Sequence, residues 1–161
     1  MQRYSSIDIY SLHQRQWLKG ERLPKLNHAR QSHSSCALSG FVYVFGGDNA
    51  SVNLLDSIER MQICSDTGYP SQTPNNMWEL IHVVQSGGHI QRLARMSSIF
   101  CAIDETEILI AGGYLNDQDG EDTDGHASDA FILDAKTLEL HSAVVLAPDE
   151  TVPSHFDSLT N

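Results

Sequence analysis

The stretch Phe41–Asn49, FVYVFGGDN, runs five apolar residues directly into two glycines. A second stretch, Glu107–Tyr114, EILIAGGY, does the same. The text upstream shows that the two are copies. ARQSHSSCALSGFVYVFGG (29–47) lines up with ARMSSIFCAIDETEILIAGG (94–113). Ala29-Arg30 matches Ala94-Arg95, and Cys36 and Cys101 each lie six residues beyond their arginine. Gly46-Gly47 then matches Gly112-Gly113, with one extra residue in the second copy. Self-similarity of this kind is the sequence signature of a repeat architecture. Two unrelated hairpin turns would not share an arginine and a cysteine at matched spacing.

A second pattern recurs beside the first. Tyr10 precedes Trp17 by seven residues in SIDIYSLHQRQW, and Leu133 precedes Leu140 by seven in DAFILDAKTLEL. Met61 and Trp78 occupy the same two places in the middle copy, with a longer insertion between them. The remaining insertions fall between Trp78 and Arg95, between Arg95 and its glycine pair, and between Gly113 and Ala130. All lie between strand-like segments, where loops tolerate added length. In the first full unit those segments are HSSCAL, FVYVF, SIERMQI and MWELIHVV. They alternate or run apolar, bounded by Gly, Asn, Asp, Ser and Pro, and helical periodicity is absent. Four short strands per unit of about 50 residues describe the blade of a propeller.

In these marks the chain resembles the kelch repeat family. Gly46, Gly47, Gly112 and Gly113 match the glycine pair that closes the family's second strand. Tyr10 and Trp17 match its third-strand tyrosine and fourth-strand tryptophan. Trp78 keeps the tryptophan alone, and Leu133 and Leu140 replace both aromatics. The resemblance spans about residues 4–145 and implies an all-β fold, an incomplete kelch-type β-propeller. Its parts are half a blade (5–22), two full four-stranded antiparallel blades (28–84 and 93–145), and a tail (146–161) that starts a next blade or hangs loose. In that tail His155 stands where His33 stands. Propellers close with about four to eight blades. The expectation is therefore a portion of a longer propeller, the alternative being that partner copies complete the ring. The resemblance further implies a non-catalytic module for protein–protein interaction. A propeller enzyme of oxidase or sugar-processing type, with its catalytic residues outside this chain, is the alternative.

Composition narrows the class independently. With 161 residues, 40% hydrophobic and 19% charged, the chain is of one-domain size and globular. No apolar run approaches the roughly 20 residues of a membrane-spanning helix, and the opening MQRYSSIDIY has no signal-like apolar core. Three cysteines make no disulfide framework, so reduced thiols and a cytoplasmic location are expected. The net charge of −11 is unevenly spread. Residues 1–103 hold seven acids against nine Lys and Arg, whereas residues 104–161 hold fourteen acids and only Lys136. Such an acidic half repels phosphate backbones, which argues against nucleic acid, and it attracts a basic protein surface.

Few residues invite chemistry. The loop Asn116–Asp129 carries Asp117, Asp119, Glu121, Asp122 and Asp124. It reads first as solvated surface, then as an interaction loop, and it fails the EF-hand template for calcium. The loop Cys64–Asn76 is a surplus insertion rich in Pro, Ser, Thr and Asn. His28, His33 and Cys36 are close in sequence, but His33 and Cys36 point to opposite sides of a strand, so no metal site is expected. No nucleophile–base pair has diagnostic spacing, so no catalytic residue and no cofactor is assigned. Arg30 and Arg95 are expected to contact backbone or carboxylate groups near the innermost strands, or else a ligand. Trp17 and Trp78 are expected to pack between blades. The unsheathed end blades are expected to favour self-association.

Overall fold

A computed structural model describes residues 5–17, 24–49, 51, 53–63, 77–85, 93–115 and 125–143. These residues form strands and no helix. A two-stranded hairpin comes first, β1 (Tyr10–Ser11) with β2 (Gln16–Trp17). The first sheet follows in sequence order: β3 (Ser34–Leu38), β4 (Phe41–Phe45), β5 (Ile58–Gln62) and β6 (Glu79–Ile81), all antiparallel. After β7 (Val84–Gln85), the second sheet comprises β8 (Ile99–Ala102), β9 (Glu107–Ala111), β10 (Ala130–Asp134) and β11 (Glu139–Ser142).

The sequence spacings acquire a direct meaning in the registers. Tyr10 pairs across the hairpin with Trp17, and Leu133 pairs across β10–β11 with Leu140. A separation of seven is therefore a cross-strand pair around a tight turn. The turns match too: Arg15 and Leu138, each two residues before the second partner, both have positive φ (53° and 60°). In the first sheet Ile58 pairs with Ile81 and Arg60 with Glu79. That register brings Met61 beside Trp78, and both are buried in one cluster.

One segment departs from expectation. MWELIHVV reads as a single fourth strand of the first sheet, but it divides at His82–Val83. Residues 79–81 stay on β5, and Val84–Gln85 crosses to pair parallel with β11. The Val84 amide donates to the Leu138 carbonyl at 2.9 Å. The reason is the exposed edge of β11, whose unpaired backbone groups are served by the nearest free strand. The second sheet thereby has five strands, ordered β7-β11-β10-β9-β8.

The two sheets share one core. Leu38, Tyr43, Phe45, Ile58 and Ile81 of the first sheet pack with Phe100, Ile108, Ile110, Phe131, Leu133 and Leu140 of the second. The Phe45 and Phe100 rings stack at 5.4 Å. Strand alternation makes this possible: in β9 and β10 every second residue is buried, as one face meets the neighbouring sheet and the other does not. The opposite face of the first sheet carries a smaller cluster of Leu26, Val44, Met61 and Trp78, with Ile7 and Val42 against it. Ser5 accepts a hydrogen bond from the Leu26 amide at 3.0 Å. The first sheet is thus covered on one face by the second sheet and in part on the other by the N-terminal segment.

Candidate functional site

Each repeated arginine is the hub of its own sheet. The Arg30 guanidinium donates to the carbonyls of His28, Gly46 and Ser57, to Ser57 Oγ and to Glu59. The Arg95 guanidinium donates to the carbonyls of Leu93 and Gly112 and to both carboxylate oxygens of Asp129. Both arginines are buried. The carbonyl two residues back and the carbonyl of the first glycine are common to both hubs, so the arginine ties the entry of each sheet to the end of its second strand. The acid is not at a common position. In backbone register Ser57 corresponds to Asp129, since each supplies the carbonyl that takes the first glycine's amide. By the same register Glu59 corresponds to Phe131. One copy therefore pairs Arg30 with Glu59, and the other pairs Arg95 with Asp129 and lays it 5.0 Å over the Phe131 ring. No spacing rule in the sequence reveals that exchange.

The electrostatics follow from this enclosure. Burial alone would raise the Glu59 carboxyl. The amides of Asn27 and His28 and the Arg30 guanidinium outweigh burial and hold it below the usual carboxylate range. Arg30 itself is lowered by burial, against the attraction of Glu59. Their charges are spent on each other and on backbone, so these side chains are structural. Burial also pushes the Cys36 thiol up to about 11, far from the thiolate form that reacts. Among the described residues no group of three or more His, Cys, Asp or Glu is arranged to hold a metal ion. Cys36 packs against the shared core while His33 opens to the other face of the sheet.

The glycine pair forms the joint between sheets. Gly46, Gly47, Gly112 and Gly113 all have positive φ. A side chain on Gly47 would meet the Gln31 carbonyl, and one on Gly113 the equivalent Met96 carbonyl, so the second glycine is required within each sheet. The first glycine differs between copies. A side chain on Gly46 would collide with the Arg95 carbonyl of the second sheet. One on Gly112 would find nothing nearer than the Ala127 carbonyl at 3.8 Å. Gly47 N–H donates to the Arg95 carbonyl at 2.9 Å, and Ser97 N–H donates to the Ser32 carbonyl at 2.8 Å. Ser32 and Ser97 themselves sit at equivalent positive φ, 53° and 54°. Serine carries no strong signal for that conformation, and sequence reading missed it.

Among the described residues two surfaces stand out for interaction. The first is a cleft of about 360 Å³ on the face of the first sheet turned away from the second. Ile7, Leu26, Val42, Val44 and Trp78 form its apolar floor, and Arg30, Gln31, His33 and Ser35 its polar side. The second is the outer face of the second sheet, where Ile99 is 58% and Ile103 48% exposed, with Cys101 exposed between them. Trp78 is buried and donates its indole N–H to the Pro24 carbonyl. Trp17, expected between blades, is 60% exposed and packs edge-on against Tyr10 at 5.3 Å. Among the described residues its cross-strand partner, not a neighbouring sheet, holds it. Asp117, Asp119, Glu121, Asp122 and Asp124 lie outside the described residues, as do Cys64–Asn76 and the tail with His155. No helix among the described residues is long and apolar enough to cross a membrane. No protein-family model matches the chain, and no curated protein sequence matches it.

Proposed function

We propose that this chain is a segment of a kelch-type β-propeller that acts as a non-catalytic protein–protein interaction module in the cytoplasm. The observation that carries the reading is the joint between the two sheets, built from repeated parts. Two sheets carry the same glycine pair, the same left-handed serine and arginines with matching backbone contacts, and they stack so that the glycine-bearing strand end of the first meets the entry of the second. That is how a blade array grows. The chemistry supports binding over catalysis. The repeated arginines are buried and bonded, while the surfaces left among the described residues are an apolar-floored cleft and an apolar sheet face, and the sequence of the C-terminal half is acidic. The partner class is a protein with a basic surface, steered by charge.

The test is binding of a basic protein panel to the full chain and to a chain carrying Asp119→Asn, Asp122→Asn and Asp124→Asn, in low and high salt. Exposed charges are screened beyond about 8 Å at physiological ionic strength. Association of a specific partner should therefore slow with salt, and slow likewise in the triple variant. A partner bound equally well by both chains at all salt concentrations overturns the charge-steered reading. Turnover of a carbohydrate or an oxidisable alcohol by the chain overturns the non-catalytic one.

A further inference from the structure

The outer face of the second sheet is built in rows. Phe100, Ile108, Ile110, Phe131, Leu133 and Leu140 turn to the shared core, so the residues between them face the other way. The registers align Ile99 with Ala111 and Ala130 in one row, and Cys101 with Leu109 and Ile132 in the next. The third row is acidic. Glu107 pairs directly with Asp134, and Glu139 follows on β11, one residue before the Leu140 that pairs with Leu133. Like charges directly opposite each other destabilise a sheet. Among the described residues neither Glu107 nor Asp134 forms a salt bridge. The Asp134 carboxylate is fixed at its turn by the amides of Lys136 and Thr137, at 2.7 and 2.9 Å. The exposed β8–β9 turn adds Asp104 and Glu105 to this end of the face, and Lys136 is the one cation in the β10–β11 turn.

The first sheet shows what this face does when it is covered. There the registers put Phe45 and Ile58 in the places of Ala111 and Ala130, and Phe41 and Gln62 in the places of Glu107 and Asp134. That face is buried against the second sheet, whereas on the second sheet Ile99 is 58% and Ile103 48% exposed. The two exchanges differ in kind. Alanine for Phe45 and Ile58 leaves a hollow, and acid for Phe41 and Gln62 adds charge. A complementary surface brings bulky apolar side chains to the hollow and positive charge to the acidic row. Nothing within this sequence fits both. The first sheet's own far face is covered in part by Ile7 and Leu26, and residues 144–161 contain Asp149, Glu150 and Asp157 but no Lys or Arg. We propose that the outer face of the second sheet is the docking site for a β-sheet of the partner protein, with branched apolar side chains over Ile99, Ala111 and Ala130 and with Lys or Arg over Glu107, Asp134 and Glu139. The apolar rows supply contact area, and the basic groups relieve the repulsion between Glu107 and Asp134. Stability and binding therefore pull in opposite directions at Glu107.

The inference rests on the protein-binding reading above and adds where the partner sits and what it carries. The probe is a fluorescently labelled cyclic β-hairpin peptide with isoleucines along one face and two lysines at one end of that face. Its counterpart has glutamates in place of the lysines. Fluorescence anisotropy measures the binding of each to the full chain. The lysine peptide should bind, and the glutamate peptide should bind more weakly by about tenfold or more. Ile99→Glu and Glu107→Gln should each weaken the lysine peptide by about fivefold or more. Ile103→Ser replaces Ile99→Glu if that variant fails to fold. Glu107→Gln should also raise the melting temperature of the free chain, since it removes one of two facing charges. Ser35→Glu, in the cleft on the far side of the first sheet, should leave peptide binding unchanged. A lysine peptide that does not bind, equal binding of the two peptides, binding untouched by Ile99→Glu or Glu107→Gln, binding lost in Ser35→Glu, or a Glu107→Gln melting temperature that fails to rise overturns the proposal. Salt-sensitive binding of a basic protein that survives intact in the Ile99→Glu and Glu107→Gln chains overturns this inference alone. Turnover of a substrate by the chain overturns the non-catalytic reading and leaves the docking site standing.

Discussion

At the scale of single residues, the two copies of the glycine pair are not equally demanding. Gly46 combines φ of 66° with a neighbouring carbonyl that leaves no room for a side chain. Gly112 has φ of 61° and open space. Gly112→Ala should therefore cost only the left-handed backbone penalty, about 1–2 kcal/mol. Gly46→Ala should cost that and the separation of the sheets, in total about 3 kcal/mol or more. Denaturant midpoints of the two variants measure the difference, and equal midpoints contradict the joint described above. Titration acts at this scale as well. Glu59 is held below the usual carboxylate range, so its contribution is present above about pH 4.5 and is lost as pH falls through its folded value. His33 is held below its ordinary value by burial and by Arg30, so acid favours the unfolded chain, which takes up that proton more readily. Both signs agree: stability should rise with pH up to about 6.5. His33→Gln should flatten the rise near 6.5, and Glu59→Gln the steeper part near 4.5, in melts taken at stepped pH.

At the scale of elements, the arginine hubs offer an exchange experiment. Removing Glu59 strands a buried guanidinium and the amides of Asn27 and His28. Glu59→Ala should cost about 3–5 kcal/mol, the usual scale for breaking one side of a buried pair. The second copy solves the same problem with Asp129 and the Phe131 ring. Adding Ser57→Asp and using Glu59→Phe in place of alanine should recover part of that loss. The Asn27 and His28 amides still lack their acceptor, so recovery is incomplete. A double variant no more stable than Glu59→Ala would show that the two hubs are not interchangeable. The β7 strand gives a second test. Val84 is exposed, and its amide donates to Leu138. Val84→Pro should remove that bond at a cost of about 1 kcal/mol and speed hydrogen exchange along β11, with β3–β5 unaffected.

At the scale of the whole molecule, the two sheets are one cooperative unit because their core is common. Phe45 and Phe100 come from different sheets and stack in its middle. Phe100→Ala should cost about 3–5 kcal/mol and should destabilise the first sheet as much as the second. Trp78 fluorescence reports the first sheet, and amide exchange in β9 and β10 reports the second. Coincident denaturant transitions from the two are expected, and transitions that separate would mean the sheets fold independently.

The repeat, the strand identities and the glycine pairs were legible in the amino-acid sequence, because strand alternation and turn glycines are local requirements. So was the recurring spacing of seven from Tyr10 to Trp17 and from Leu133 to Leu140, which the registers explain, since a tight hairpin fixes the distance between cross-strand partners along the chain. What the neighbouring sheet does was not legible. The open space over Gly112 and the filled space over Gly46 come from the same two letters, and only packing separates them. The transfer of Val84–Gln85 to the second sheet depends on which edge is free nearby. The placement of the acid beside each arginine depends on which side chain can reach a buried charge, and Glu59 and Asp129 reach it from different positions. Local geometry is written residue by residue, whereas contacts between sheets depend on surfaces that exist only once both sheets have formed.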